Sequence, residues 1–175
     1  FAVVSFATAG RSSNGAVYYF QDLDTNVPGA YDLNSPFAIA SAYWTGSSTT
    51  DLLGASLFSG EGAQLADLDG NGYTNDLVMI SSTDFFGTDS GSLYLVRDID
   101  TRQGVFDLNI LSSFRARWDG VVAGESFPYT FNSGPAVQIV DADNNGTAND
   151  LLVTSILGGT SSSGSVYLIK DAASY

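Results

Sequence analysis

Two ten-residue stretches carry the residue types that hold hard cations: "DLDGNGYTND" from Asp67 to Asp76 and "DADNNGTAND" from Asp141 to Asp150. A cation such as calcium takes about six to eight oxygen ligands, and a loop supplies them when carboxylates or amides alternate along it. Alternation puts Asp67, Asp69 and Asn71 at positions 1, 3 and 5, the Tyr73 carbonyl at position 7, and Asp76 at position 10. In the second copy Asp141, Asp143, Asn145, the Thr147 carbonyl and Asp150 stand in the same places. Gly72 and Gly146 hold position 6, where the sharp turn of such a loop needs a residue that tolerates positive φ. Asp, Asn and Gly are also the ordinary residues of turns. Two copies in register, each with glycine at one place and an acid behind it, favour a cation over a plain turn. The expectation is two calcium ions, one per loop.

The remaining chemistry is thin. His and Cys are both absent, which removes the commonest general base, the commonest transition-metal ligand, thiolate nucleophiles and disulfides. Ser81, Ser82 and the run Ser161 to Ser163 have no His to activate them and read as turn and edge residues. Asp22, Asp24 and Asn26 imitate the start of a metal loop, but the matching Asp98, Asp100 and Arg102 put a cation where a ligand belongs, so both read as turns. Asn145-Gly146-Thr147 has the form of a glycosylation sequon, yet the metal loop claims Asn145. Trp44 and Trp118, with Tyr43 and Phe114 nearby, are equally placed aromatics and read as packing between repeated units rather than a sugar-stacking surface. No enzyme is expected.

Six basic residues face 19 acids, for a formal charge of -13. That charge repels nucleic-acid backbones and anionic membrane surfaces, so nucleic acid is not an expected partner. All but Glu61 and Glu125 of the acids are Asp, short side chains suited to turns and hard-cation loops rather than helical faces. No apolar stretch approaches the length of a membrane span. The chain opens on Phe1 rather than Met, which suits a removed leader or a longer parent chain.

The elements that must position the loops are strands. One Lys, two Glu and 19 Gly, with abundant Ser and Thr, leave little to build helices from. Leu77-Val78-Met79-Ile80, Leu93-Tyr94-Leu95-Val96 and Val166-Tyr167-Leu168-Ile169 are apolar at consecutive positions, the mark of strands covered on both faces. The chain also repeats itself. "NDLVMISSTDFFGTDSGSLYLVRD" from Asn75 matches "NDLLVTSILGGTSSSGSVYLIKD" from Asn149, and "FAVVSFATAGRSSNGAVYYFQD" from Phe1 is a third copy. Asp67 and Asp141 are 74 residues apart, as are Trp44 and Trp118, and "YDLN" at Tyr31 lies 75 before "FDLN" at Phe106. Residues 1–175 thus form a single β-repeat domain with a partial unit over 1–66, a unit over 67–140 and a partial unit over 141–175.

A metal-type loop running into an apolar strand ("DLDGNGYTNDLVMISS") and then "SGSLYLVRD" resembles the repeat of FG-GAP-type β-propellers, the class found in integrin heads and many secreted bacterial proteins. It is also similar to the calcium-loop blade of the C-terminal propeller of type IV pilus tip adhesins. The resemblance covers the two loop-plus-hairpin segments and the N-terminal hairpin. In those families the closing Asp usually stands at position 9, whereas here Asn75 and Asn149 hold that place and Asp76 and Asp150 follow, so either residue closes the loop. A unit of about 74 residues is also longer than the roughly 40 to 50 of common blades. The resemblance implies an all-β, propeller-like repeat of antiparallel sheets, either part of a larger ring or completed by assembly. It further implies a calcium-stabilised binding or adhesion module, extracellular or at the cell surface, whose partner is a protein or glycan ligand or copies of itself. The alternative is a structural subunit of an extracellular filament; a carbohydrate-active enzyme is the least favoured reading.

Overall fold

The computed structural model describes residues 2–5, 14–21, 40–47, 51–54, 62–81, 90–121, 127–128, 135–155, 157 and 163–175. The segments with Asp22, Asp24, Asn26, Tyr31, Ser82, Ser161 and Ser162 lie outside them. The described residues are all-β, with eleven strands in three sheets and only short 3-10 turns besides. The first sheet runs β1 (Ala2–Ser5), β2 (Ala16–Tyr19), β3 (Ala42–Thr45), β7 (Gly104–Asp107). The second runs β4 (Ala63–Ala66), β5 (Asp76–Ser81), β6 (Ser92–Val96), β8 (Ala116–Asp119), and the third β9 (Val137–Val140), β10 (Asp150–Ser155), β11 (Ser165–Ile169).

One plan recurs. The apolar runs pair as antiparallel hairpins, Leu77 opposite Val96 in the second sheet and Leu151 opposite Ile169 in the third, and each hairpin is flanked by the strand that leads into its loop. The turns into the second strand demand glycine. Gly15 and Gly91 have φ of +71° and +78°, and a Cβ on Gly91 would lie 1.7 Å from the Phe127 carbonyl oxygen. Only a residue without a side chain lets the two backbones approach so closely.

The sheets stack in a row. Val17, Tyr19 and Trp44 of the first sheet pack on Leu77, Met79, Tyr94 and Val96 of the second. The other face of the second sheet, Val78, Ile80, Leu93 and Leu95, packs on Val137, Leu151 and Val153 of the third. Strands β5 and β6 are therefore buried along their whole length, as consecutive apolar residues require. No closure of the row into a ring is seen among the described residues.

Two features depart from the expected pattern. Val166 and Leu168, counterparts of the fully buried Leu93 and Leu95, are 66% and 46% exposed, because among the described residues the third sheet is last in the row and no further sheet packs on that face. The expectation that this run is covered on both faces fails for that reason. Second, the sheets are not purely antiparallel. After β6 the chain leaves its own sheet and adds β7 parallel to β3, Ala42 opposite Gly104 and Thr45 opposite Asp107, before returning as β8. Phe106 then stacks on Trp44 at 5.3 Å, and the Trp44 Nε1–H donates to the Ser113 carbonyl. Trp44 is thus packing, as its type and placement suggested, and the stacking is worth about 1 kcal/mol beyond the area buried. Trp118 is only partly buried and meets Tyr175 edge-on.

Candidate metal centres

Each candidate loop joins the first strand of a sheet to its second: β4 to β5 for Asp67–Asp76, β9 to β10 for Asp141–Asp150. The loops are neighbours, since a Cβ on Gly70 would lie 3.7 Å from the Thr147 methyl. Their conformations match residue by residue. Gly72 and Gly146 have φ of +90° and +94°, and Gly70 and Asn144 share the left-handed region at +72° and +60°. Gly and Asn are the residues that visit that region most readily, so the glycine placement at position 6 has the backbone cause proposed for it.

The acids arrange the loop before any ion is considered. Asp67 accepts from the Asn71 and Gly72 N–H groups at 3.0 and 2.9 Å, and Asp141 does the same for Asn145 and Gly146 at 2.9 and 2.9 Å. Asp69 and Asp143 accept from the Asn71 and Asn145 N–H groups. The Asn71 and Asn145 amide oxygens accept from the Tyr73 and Thr147 N–H groups, each at 2.8 Å. The Tyr73 and Thr147 carbonyls in turn accept from the N–H groups of Asn75 and Asn149. Asp76 and Asp150 are fully buried at the head of their strands, and each accepts three backbone N–H groups. Leu68, Asp69 and Asp98 donate to Asp76; Ala142, Asp143 and Asp171 donate to Asp150.

Within this frame Asp67, Asp69 and Asp76 converge, as do Asp141, Asp143 and Asp150; in each trio one carboxylate oxygen per residue lies within 4.8 Å of the others. Oxygens that ligate one calcium at about 2.4 Å lie at most about 4.8 Å apart. Three carboxylates so close repel one another in the absence of a counter-charge, and the donor set, all oxygen and anionic, is the one a hard cation selects. The structure thus groups the position 1, 3 and 10 acids. It ties the Asn71 and Asn145 amides and the Tyr73 and Thr147 carbonyls into the turn beside them. At position 9, Asn75 donates its side-chain N–H to Asp98 and Asp100, while its buried Oδ1 has no hydrogen-bond donor. That acceptor is a further oxygen suited to a cation.

Electrostatically the centres differ. Arg97 forms an ion pair with Asp69, and the bond, with the neighbouring Asp76 and Asp98, holds its guanidinium above the usual arginine range. Burial pushes the Asp76 carboxyl up, opposed by its three backbone donors and assisted by the charge of Asp69. The Asp150 carboxyl is held down, chiefly by the Asp171 N–H and also by the Ala142 and Asp143 N–H groups and by Lys170.

Sequence reasoning assigned Asp98 a turn and missed its partnership with the loop. Asp98 and Asp171 both take left-handed φ, +52° and +46°, and cap 3-10 turns. Each gives its N–H to the buried strand acid and accepts from loop amides, Asn71 and Asn75 in one case, Asn145 and Asn149 in the other. The signal was legible: an Asp follows Arg97 and Lys170 at the same point of each copy. No known family model matches this chain, and no curated protein matches it in sequence. Among the described residues no helix is long and apolar enough to cross a membrane.

Proposed function

We propose that the chain is an extracellular, calcium-stabilised binding or adhesion module built of propeller-like repeats of the FG-GAP type, without enzymatic activity. The observation that carries this reading is the twofold occurrence of one carboxylate trio in one hydrogen-bonded frame. Asp67, Asp69 and Asp76 hold one ion, Asp141, Asp143 and Asp150 the other, and the remaining oxygens come from the loop amides and carbonyls or from water. The ion's task is structural: it neutralises the acids where one strand hands over to the next, and so fixes the loop surface that a protein or glycan ligand meets. Charge-rich loops of this kind suit the millimolar calcium outside cells.

Calcium titration against melting temperature, with a chelator control, tests the reading. A ligand that binds only the folded state stabilises it by about 2.7 kcal/mol at a hundredfold excess over Kd, roughly 5–10 °C for a chain of this size. A melting temperature unmoved by calcium and by chelator returns the loops to ordinary turns.

A second reading, an assembling subunit of an extracellular filament, draws on the bare outer face of the third sheet with Val166 and Leu168. Exposed apolar sheet faces are sites of association, and head-to-tail contacts that do not close make fibres. Particle size separates the two: a monodisperse particle supports the module, an open-ended polymer the filament.

A further inference from the structure

Three of the chain's six basic residues, Arg97, Arg102 and Arg115, line one open depression of about 410 Å³, together with Asp98 and Thr101. It lies where β6 ends, the 3-10 turn of Ile99–Thr101 follows, and the chain enters β8. With 19 acids available to 6 bases, each guanidinium would be expected to find a carboxylate; Arg97 does, but among the described residues Arg102 and Arg115 do not. Arg97 is paired with Asp69, and its Nε is buried without an acceptor. Among the described residues Arg102 reaches the Ser112 carbonyl, at 3.4 Å, and the Phe106 ring, at 5.7 Å. The Arg115 backbone N–H donates to the Leu95 carbonyl, while its guanidinium has no ion pair among the described residues. Contrast Arg117, two residues on, which is paired with Asp119 at 3.0 Å.

Guanidinium groups that share a cavity repel one another, and Arg97 is already paired, so Arg102 and Arg115 are the two left to meet a negative charge from outside. Their planar forks match oxyanions, with two parallel N–H donors for two oxygens. Phe106 beneath Arg102 fixes the plane of one fork, since a guanidinium stacks on an aromatic face. We propose that Arg102 and Arg115 form a binding site for an oxyanion group, carboxylate, sulfate or phosphate, carried by an acidic ligand, in a depression that the Asp69-paired Arg97 also lines. Arg102 and Arg115 form no ion pair with a loop acid among the described residues, so the site stands or falls separately from the reading above.

The experiment follows the arginine Nε–Hε signals by NMR in chelator-treated protein. Inorganic sulfate, inorganic phosphate and glucuronate are titrated in separate arms, with ionic strength held constant by sodium chloride. The expected result is a saturating shift of the Arg102 and Arg115 signals in at least one arm, and the saturating arm names the oxyanion. Binding then weakens about tenfold in Arg115→Gln and in Arg102→Gln, each of which removes a charge-assisted contact. Arg117→Gln, with the same change in net charge, leaves binding unaltered. Arg115→Gln decides alone if Arg102→Gln, which also loses its contact with Phe106, does not fold. Drift that never saturates in any arm, or an equal loss of binding in Arg115→Gln and Arg117→Gln, overturns the proposal.

Discussion

In the loop of Asp67–Asp76 the second carboxylate, Asp69, is met by Arg97. In the loop of Asp141–Asp150 its counterpart Asp143 is exposed and forms no ion pair among the described residues, and a lysine, Lys170, stands in the place of Arg97. The backbone hydrogen bonds of the two loops are otherwise nearly superimposable, yet burial raises the Asp76 carboxyl and hydrogen bonding lowers that of Asp150. Backbone geometry is thus held constant between the copies while charge balance varies. The first loop carries its own partial counter-charge; the second has no such ion pair among the described residues.

The strongest way to break the comparison is to remove the buried strand acid. Asp76→Ala orphans three backbone donors, at roughly 1 kcal/mol or more each, so a loss of about 3 kcal/mol or more is expected in urea unfolding. Asp150→Ala orphans the corresponding three and also destabilises. If either substitution is silent, the acid does not organise its loop. Next in size, Gly72→Ala and Gly146→Ala place a side chain at φ near +90° where no atom lies within 4 Å. The penalty is therefore backbone strain alone, about 1–2 kcal/mol, and equal thermal shifts are expected in the two variants. Unequal shifts would mean that the loops differ in backbone after all.

Arg97→Gln sharpens the contrast. Freed of the guanidinium, Asp69 becomes as available as Asp143, and the first site is expected to bind calcium about fivefold more tightly, the equivalent of about 1 kcal/mol for a partly exposed pair. Calorimetry that shows weaker calcium binding in this variant would make Arg97 a support of the site and not a competitor for it. The smallest effect is in pH. In chelator-treated protein the folded Asp76 binds its proton more tightly than the unfolded chain does. Its contribution therefore favours the folded state below the raised value and is lost as pH climbs through it. Asp150 is the reverse: its stabilisation is present above the ordinary value of 3.8 and is lost as pH falls through the lowered one. Carboxyl-carbon titration by NMR should place Asp76 above 3.8 and Asp150 below it; the opposite order would refute the assignment of burial and hydrogen bonding as the respective causes.

Much of this was written in the chain. Consecutive apolar residues from Leu77 to Ile80 and from Leu93 to Val96 announced strands covered twice, and the structure buries both between neighbouring sheets. Alternating acids with glycine at the sixth place gave the loops, because side-chain spacing and φ are local properties. What the sequence concealed depends on where elements end up. Val166 and Leu168 have the apolar character of Leu93 and Leu95 and differ only in being last in the row. Nothing in the residues around Arg97 names Asp69, the partner to which the hairpin brings it. The segment Gly104–Asp107 gives no hint that it belongs to another sheet, since nothing in a short strand's own pattern states which edge will receive it.

That borrowed strand has a mechanical consequence. Strand β7 is tethered by residues 97–103 to β6 and by residues 108–115 to β8 of the second sheet while bonded to β3 of the first. A pull that separates the first two sheets must therefore either strip β7 from β3 or drag its parent hairpin along. The seam between them is crossed by a hydrogen-bonded strand, whereas the described contact with the third sheet is made by side chains and by the two neighbouring acidic loops.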